Sequence, residues 1–506
     1  MADVEPAKSR FSLEDQPEVF FTTAKTSRAI RTSLRAGEVR KVGPRLYTKN
    51  LVDSLEVVAK RNWSHVTAGY YPGAVICDRT ALEGRPAEDG SVTLVTSTRR
   101  EQRIPGLRLR PRLGRGRVEG DTRWMGENLF FSSRARAFLE NMRESRVRGG
   151  LPRTLRVDEV EQQLDRHALL RPSALNELRD EARNLAERLD AEEEFGRLDR
   201  LIGTLSGTRS GVLQTAGGRA RQAGAPFDST RIARFETLHG YLQTLAAPSP
   251  RANKSHEVST FAFFEAYFSN FIEGTEFTLD EAQRIVYDHE VPRQRPKDAH
   301  DILGTYRLVA DSRQRARTPD DADELVEILL SQHAAMLAER PEVGPGEFKL
   351  ERNRAGATDF VEPSLVQGTL REGFRMYDNL PPGFPRGAFA MFLVAEVHPF
   401  ADGNGRVARI LMNSELTRAG EQRVIVPISA RDDYLTALRG LTHNDNVQAF
   451  VRVMAHLQAL SLEGMFSGRK AAEQWLRAHG AFEGPESADG MDLFAFGAGP
   501  PARQKE

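Results

Sequence analysis

A chain of 506 residues is too long for one hydrophobic core, so roughly two to four domains are expected. Its 40% hydrophobic and 28% charged residues are those of an ordinary globular protein, and no apolar run is long enough to cross a bilayer. A single cysteine, Cys77, excludes an internal disulfide framework and a multi-cysteine metal site. With a start, Met1 to Lys8, that lacks the apolar core of a signal peptide, it points to a reducing cytoplasm with no membrane partner. The net charge of zero conceals an asymmetry: residues 1–150 hold 28 Lys and Arg against 18 Asp and Glu, and the rest hold 43 against 53. A basic front half is an electrostatic hint of nucleic acid.

Taken in chain order, residues 1–15 are polar and expected as a flexible tail. Residues 16–65 read as a small domain. A short basic helix spans Ala24 to Ala36, with Ile30 and Leu34 on one face and Gly37 as its stop. A hairpin follows from Glu38 to Thr48 around Gly43-Pro44. A basic helix followed by a basic hairpin is the pattern of a winged helix. Arg28, Arg31 and Arg35 on the helix, with Arg40, Lys41 and Arg45 on the wing, are the candidate contacts to duplex DNA. Such a module can equally bind protein or pack on its own chain.

Residues 66–150 are strand-like and Gly-rich and are expected as an α/β module. Its clearest strands are Val92–Thr96 and Ile104–Arg110, and a helix closes it over Ser133–Asn141. Residues 151–250 read as a helical connector with one apolar stripe, Leu175, Leu178, Ala182, Leu185 and Leu189. Glycine recurs six times between Gly203 and Pro226 without the spacing of a phosphate loop, so that stretch is expected as irregular. Phe227 to Leu245 returns to a helical pattern. Residues 251–470 carry the motifs below. Residues 471–506 end as a tail, rich in Gly, Pro and Ala from about 480.

Three segments of the last domain carry chemistry. In Ser269-Asn-Phe-Ile-Glu273-Gly274, Ser269 and Glu273 share a helix face and Gly274 is placed to end the helix. Phe348 to Pro363 has strand-like ends around a turn, with Asn353, Arg354, Ala355, Gly356, Ala357 and Thr358 at its tip, a hairpin signal. The stretch His398-Pro-Phe-Ala-Asp-Gly-Asn-Gly-Arg-Val-Ala-Arg409 gathers the rest. His398 can take a proton near neutral pH. Asp402 offers hard oxygens to a Mg²⁺ riding on phosphates. Gly403, Asn404 and Gly405 let backbone N–H groups approach an anion. Arg406 sits near a helix N-terminus, where phosphate is favoured, and Arg409 follows at i+3.

This stretch resembles the Fic family signature, HPFx[DE]GNGRxxR, at every specified position. The resemblance implies a C-terminal all-α Fic fold that transfers AMP from ATP, with Mg²⁺, to a Tyr, Thr or Ser hydroxyl of a target protein. His398 would then be the base, Asp402 the metal ligand, and Gly403, Asn404, Gly405, Arg406 and Arg409 the phosphate site. Asn413 and Tyr434 would lie in the nucleotide pocket. Ser269, Glu273 and Gly274 resemble the family's inhibitory motif [ST]xxxE[GN], which implies that Glu273 pairs with Arg409 and blocks the triphosphate. Residues 353–358 would be the flap that pairs with the target's main chain. Residues 1–145 resemble the AbiEi type of antitoxin and regulator, on Gly37–Tyr47, Asp78-Arg-Thr-Ala-Leu82 and Arg134-Ala-Arg-Ala-Phe-Leu-Glu-Asn141.

The expected fold class is therefore a multidomain α+β protein. It has an N-terminal winged helix and strand-rich module, a helical connector and a helical Fic domain with a β-hairpin flap. The expected function is an autoinhibited protein adenylyltransferase, possible also as a homo-oligomer. Three alternatives stay open: another nucleotide or phosphate donor; reversal, in which Glu273 orients a water that removes AMP; and a DNA-binding regulator of toxin–antitoxin kind with the Fic core as sensor.

Overall fold

The computed structural model describes residues 12–124, 127–145, 150–171, 173–245 and 251–484, so most of both expected tails lies outside the described residues. The protein is multidomain α+β and divides into two compact units, Met1–Gln222 and Ala223–Glu506. The helical segment expected as one connector, 151–250, is shared between these units.

The first unit opens with β1 (Val19–Phe21), α1 (Ser27–Arg35), β2 (Arg40–Gly43) and β3 (Leu46–Thr48). The three strands form an antiparallel sheet in the order β1-β3-β2. The helix expected from Ala24 starts three residues later. Thr23 N–H donates to Thr26 Oγ1 at 2.9 Å and Thr26 N–H to Thr23 Oγ1 at 3.3 Å, so threonine side chains compete for the backbone there. α1 buries only Ile30.

Helices α2 (Leu55–Arg61) and α3 (Trp63–Tyr70) lead to a mixed sheet. It comprises β4 (Ala74–Ile76), β5 (Ser91–Val95), β6 (Gln102–Ile104), β7 (Leu107–Arg112), β8 (Thr122–Arg123) and β9 (Leu129–Phe131), with α4 (Asp78–Glu83) after β4. The strand order is β6-β7-β5-β4-β9-β8. The single strand expected over Ile104–Arg110 is instead two. Pro105-Gly106 turns the chain, Gly106 at φ +71°, and β6 pairs antiparallel with β7.

Four helices complete the unit after α5 (Arg134–Asn141): α6 (Val157–Ala168), α7 (Ala174–Ala186), α8 (Glu192–Leu205) and α9 (Ala216–Gln222). The apolar stripe of α7 is buried with Phe138 of α5 and with Leu198 and Ile202 of α8. The stretch expected as irregular, Gly203–Pro226, contains α9. Its start is held by the Glu161 carboxylate, which accepts from the N–H groups of Gln214 and Thr215, both at 2.9 Å. That contact spans more than fifty residues and leaves no local trace in the sequence.

The second unit is mostly helical. It contains α10 (Ser229–Leu242), α11 (Val258–Ile272), α12 (Leu279–Gln283), α13 (Pro296–Ala310) and α14 (Ala322–Met336), then a hairpin of β10 (Arg354–Ala355) and β11 (Thr358–Asp359). After it come α15 (Val366–Asp378), α16 (Phe384–Val397), α17 (Asn404–Arg418), α18 (Arg431–Asn444), α19 (Val447–Glu463) and α20 (Arg469–Ala478). α11 and α16 are apolar on nearly every side and lie in the core, as helices without a polar face must. α16 packs along α17, and α11 packs on α13 and α17. The six residues between α16 and α17, 398–403, are thereby fixed at both ends. Among the described residues no helix is long and apolar enough to cross a membrane.

Candidate functional site

The loop 398–403 begins where α16 ends. His398 is the capping residue, at φ +53°, a conformation that non-glycine residues seldom adopt, and its N–H closes the helix on Val394 O at 2.9 Å. Its Nδ1 lies 3.2 Å from Ala395 O. A carbonyl can only accept, so Nδ1 carries the proton and Nε2 keeps its lone pair. Burial pulls the imidazole pKa down to about 4, with the Ala395 carbonyl partly offsetting it. His398 is therefore neutral near pH 7, with a basic nitrogen at its free edge.

The loop is stapled by side chains. Asn404 Nδ2 donates to Phe400 O at 2.9 Å, and Phe400 N–H donates to Asn404 Oδ1 at 2.8 Å. Asn404 thus holds the loop's own backbone. Gly403 takes φ +77° and starts α17, whose first-turn N–H groups face the loop. His333 of α14 stacks on Phe400, with ring centroids 3.9 Å apart. It accepts from Gly346 N–H at 2.9 Å and donates through Nε2 to Asp402 O at 3.1 Å. Burial lowers its pKa to about 4, so this clip works as a neutral imidazole.

Asp402 is about one-third exposed. Its Oδ1 accepts from Gly403 N–H at 2.6 Å and its Oδ2 from Arg340 at 3.1 Å. A partly open carboxylate beside a helix N-terminus fits a divalent cation that also rides on phosphate oxygens. Arg406 points the other way. Its guanidinium is buried and donates to Asp301 Oδ2 at 2.7 Å and Asn270 Oδ1 at 3.2 Å, and reaches Asp402 Oδ1 at 3.4 Å. Asp301 also pairs with Arg340 at 3.0 Å. Arg406 thus ties α17 to α13 and α11 beneath the loop.

Arg409 is buried against the end of α11. It donates to Ser269 Oγ and Ser269 O, both at 2.9 Å, to Glu273 Oε1 at 2.7 Å, and to Tyr434 OH at 3.4 Å. Burial opposes its charge, but Tyr434 and Glu273 outweigh that and raise its pKa. Glu273 caps α11 and Gly274, at φ +91°, turns the chain away. The Glu273 carboxylate also lies against Gly405, where an added Cβ would collide with its Oε1. One carboxylate thus covers both the glycine of the cradle and the arginine of the next turn. The adjoining cavity, between Ser269, Thr305, Arg409 and Val424, has a volume of about 10 Å³, room for one water.

Asn413 is in the same core, with its amide fully used: Nδ2 donates to Glu265 Oε1 and Val424 O, and Oδ1 accepts from Val424 N–H, each at 2.8 Å. Tyr434 is buried, with its hydroxyl on Met391 Sδ at 3.3 Å. The hairpin pairs Arg354 with Asp359 and Ala355 with Thr358, around Gly356 at φ +58° and Ala357. Asn353 joins it to the loop by donating to Phe400 O at 2.9 Å.

In the first unit, Arg28, Arg31, Arg35, Lys41 and Arg45 are exposed on α1 and the β2–β3 hairpin. Arg40 is half-buried, and its guanidinium is held by the backbone carbonyls of Asn50 and Asp53. It is a structural tie and not a free wing cation. Sequence reasoning missed Asp301, His333 and Arg340, because each acts on the loop from more than sixty residues away in the chain and carries no local motif.

Residues 322–416 match the family model described as Fic/DOC family. Protein adenylyltransferase Fic of Drosophila melanogaster is 28% identical over 240 residues, which are 46% of this chain and 47% of that protein. Protein adenylyltransferase fic-1 of Caenorhabditis elegans is 24% identical over 216 residues, 42% of each. The matched region spans about half the length of these curated relatives. Among solved structures, a Fic domain containing signaling protein from Bacteroides thetaiotaomicron is 19% identical with a TM-score of 0.36, over 48% of this chain and 97% of that one.

Proposed function

From the Fic/DOC family to which residues 322–416 belong, we infer that this protein is an adenylyltransferase that moves AMP from ATP to a hydroxyl of a target protein. We propose further that Glu273 holds it in an inhibited state. The observation that carries the reading is the pairing of a neutral base, His398, with a glycine-led helix start whose downstream arginine is engaged by a carboxylate at 2.7 Å.

The hydroxyl oxygen attacks the α-phosphorus while its proton passes to His398 Nε2. The bond from the α-phosphorus to the bridging oxygen breaks and diphosphate leaves. The first-turn N–H groups of α17 and Arg409 hold the phosphates, so that most of the rate comes from positioning and electrostatics. Asp402 would hold Mg²⁺, which supplies neutralisation of phosphate charge when bound. Arg406, turned onto Asp301, contributes by fixing the helix start. The hairpin 353–358 presents strand edges on which a target segment can add. Glu273 competes with the terminal phosphates for Arg409, so nucleotide bound beside it sits out of line for attack.

The test is labelling with ATP carrying a marked α-phosphate, followed by mass spectrometry for an added AMP. Incorporation should require His398 and rise in Glu273→Gly. For the first unit, the exposed Arg28, Arg31, Arg35, Lys41 and Arg45 support a winged-helix contact to duplex DNA as an accompanying activity.

A further inference from the structure

Phe360 follows β11 directly, and its ring lies face to face on His398, with centroids 3.7 Å apart and planes within 7°. The base is thus fixed twice. The Ala395 carbonyl fixes its Nδ1 edge, and Phe360 fixes the plane of the ring. Face stacking leaves the Nε2 edge open, which is the edge a proton acceptor needs.

Phe360 is in turn fixed through the hairpin and through Arg231, which also pairs with Glu396 of α16. Arg231 of α10 donates to the carbonyl of Asp359, the residue before it. Thr358 Oγ1 is bonded to His443 Nε2 at 2.8 Å. Asn353 bridges Lys349 Nζ, at 2.6 Å, to Phe400 O, at 2.9 Å. Lys349 N–H reaches Pro399 O at 2.9 Å. The hairpin and the loop 398–403 are therefore one stitched body, and Phe360 is its contact with the face of the His398 ring.

We propose that Phe360 is a positioning residue through which the hairpin sets the orientation and dryness of the His398 base. This rests on the adenylyltransferase reading for its catalytic consequence, but its physical content does not. A target strand added to the hairpin steadies Phe360 and with it the base. A loosened hairpin lets water onto the ring. The charged groups that bear on the imidazole are Lys349 from the segment before the hairpin, Glu273 from the end of α11 and Asp402 from the loop itself. Lys349 opposes protonation, and the two carboxylates favour it. Burial outweighs all three and is what Phe360 supplies on one face.

The experiment is a histidine NMR titration of the full chain, with the His398 signal assigned by its loss in His398→Gln. In Phe360→Ala the His398 pKa should rise by about one unit or more towards the value of a solvated imidazole, and Phe360→Tyr should stay near wild type. Thr358→Val, which loosens the hairpin without touching His398, should move it in the same direction by less. At saturating ATP and target, kcat in Phe360→Ala should fall roughly tenfold at neutral pH, and Phe360→Tyr should restore it. If Phe360→Ala fails to fold, Phe360→Leu, which keeps apolar cover without an aromatic face, is titrated instead and should rise by part of that amount. A His398 pKa unchanged in the folded variant overturns the proposal. A shifted pKa in a protein that transfers no AMP even when it also carries Glu273→Gly leaves it standing and overturns the reaction assigned above.

Discussion

Glu273→Gly removes a carboxylate that touches Arg409 and leaves the other partners of that arginine in place. Ser269 Oγ and Ser269 O still accept from it, so the guanidinium stays oriented while its outer edge becomes available. A hydrogen bond to a charged partner contributes about 1.5–3 kcal/mol. The Glu273 side chain is 25% exposed, so water screens the pair and the lower end applies, about 1.5–2 kcal/mol. That converts to roughly a 10- to 30-fold gain in the fraction of bound ATP whose terminal phosphates sit on Arg409. The rate of AMP incorporation should rise by the same factor, with a much smaller change in nucleotide affinity. Glu273→Gln, which keeps the shape and loses the charge, should gain only part of this. Arg409→Ala should lose activity, and the double variant should match Arg409→Ala, a non-additive cycle. The assay is transfer of labelled AMP at saturating ATP and Mg²⁺. Equal rates for wild type and Glu273→Gly, in a protein that is otherwise active, refute the competition, and regulation must then be sought elsewhere in the chain.

His398→Ala should abolish transfer while leaving ATP binding largely intact. Because burial holds the wild-type imidazole near 4, the rate should be flat from about pH 5.5 to 8 and fall only as pH approaches that value. Asp402→Ala should weaken the dependence of nucleotide binding on Mg²⁺, read by calorimetry with and without the ion, and identical titrations would remove the metal role. His333 is buried with its pKa lowered from 6.5 to about 4, so below pH 6.5 the unfolded chain takes up a proton that the folded one does not. Stability to urea should accordingly fall as pH drops from 6.5 to about 4, and His333→Gln should flatten that slope. Reversing the charges at Arg28, Arg31, Arg35, Lys41 and Arg45 should abolish any low-salt binding to duplex DNA. Arg40→Ala should instead lower the stability of the β2–β3 hairpin, and binding that survives all five reversals would leave a protein-interaction role.

Local chemistry made a good part of this protein legible from its sequence. Gly403, the His398–Arg409 spacing and the i,i+4 pair Ser269 and Glu273 each state a backbone conformation or a shared helix face, and those follow from short-range sterics and helical period. The apolar stripe from Leu175 to Leu189 identified a packed helix face for the same reason. Tertiary contacts decided the rest. Arg406 and Asn413 carry the residue types of a ligand site, yet Asp301 and Glu265, both more than a hundred positions away, hold them in the core. Arg40 looks like its neighbours in the sequence, but only it lies beside the carbonyls of Asn50 and Asp53. The stack of Phe360 on His398 and the clip of His333 on Asp402 have no sequence signature, because side chains so distant along the chain meet only after helices pack. Sequence by itself determined which groups could do chemistry. The packing of α11, α13, α14 and the hairpin around six loop residues decided where each one points, since a buried polar group must find its partner wherever the fold has put one.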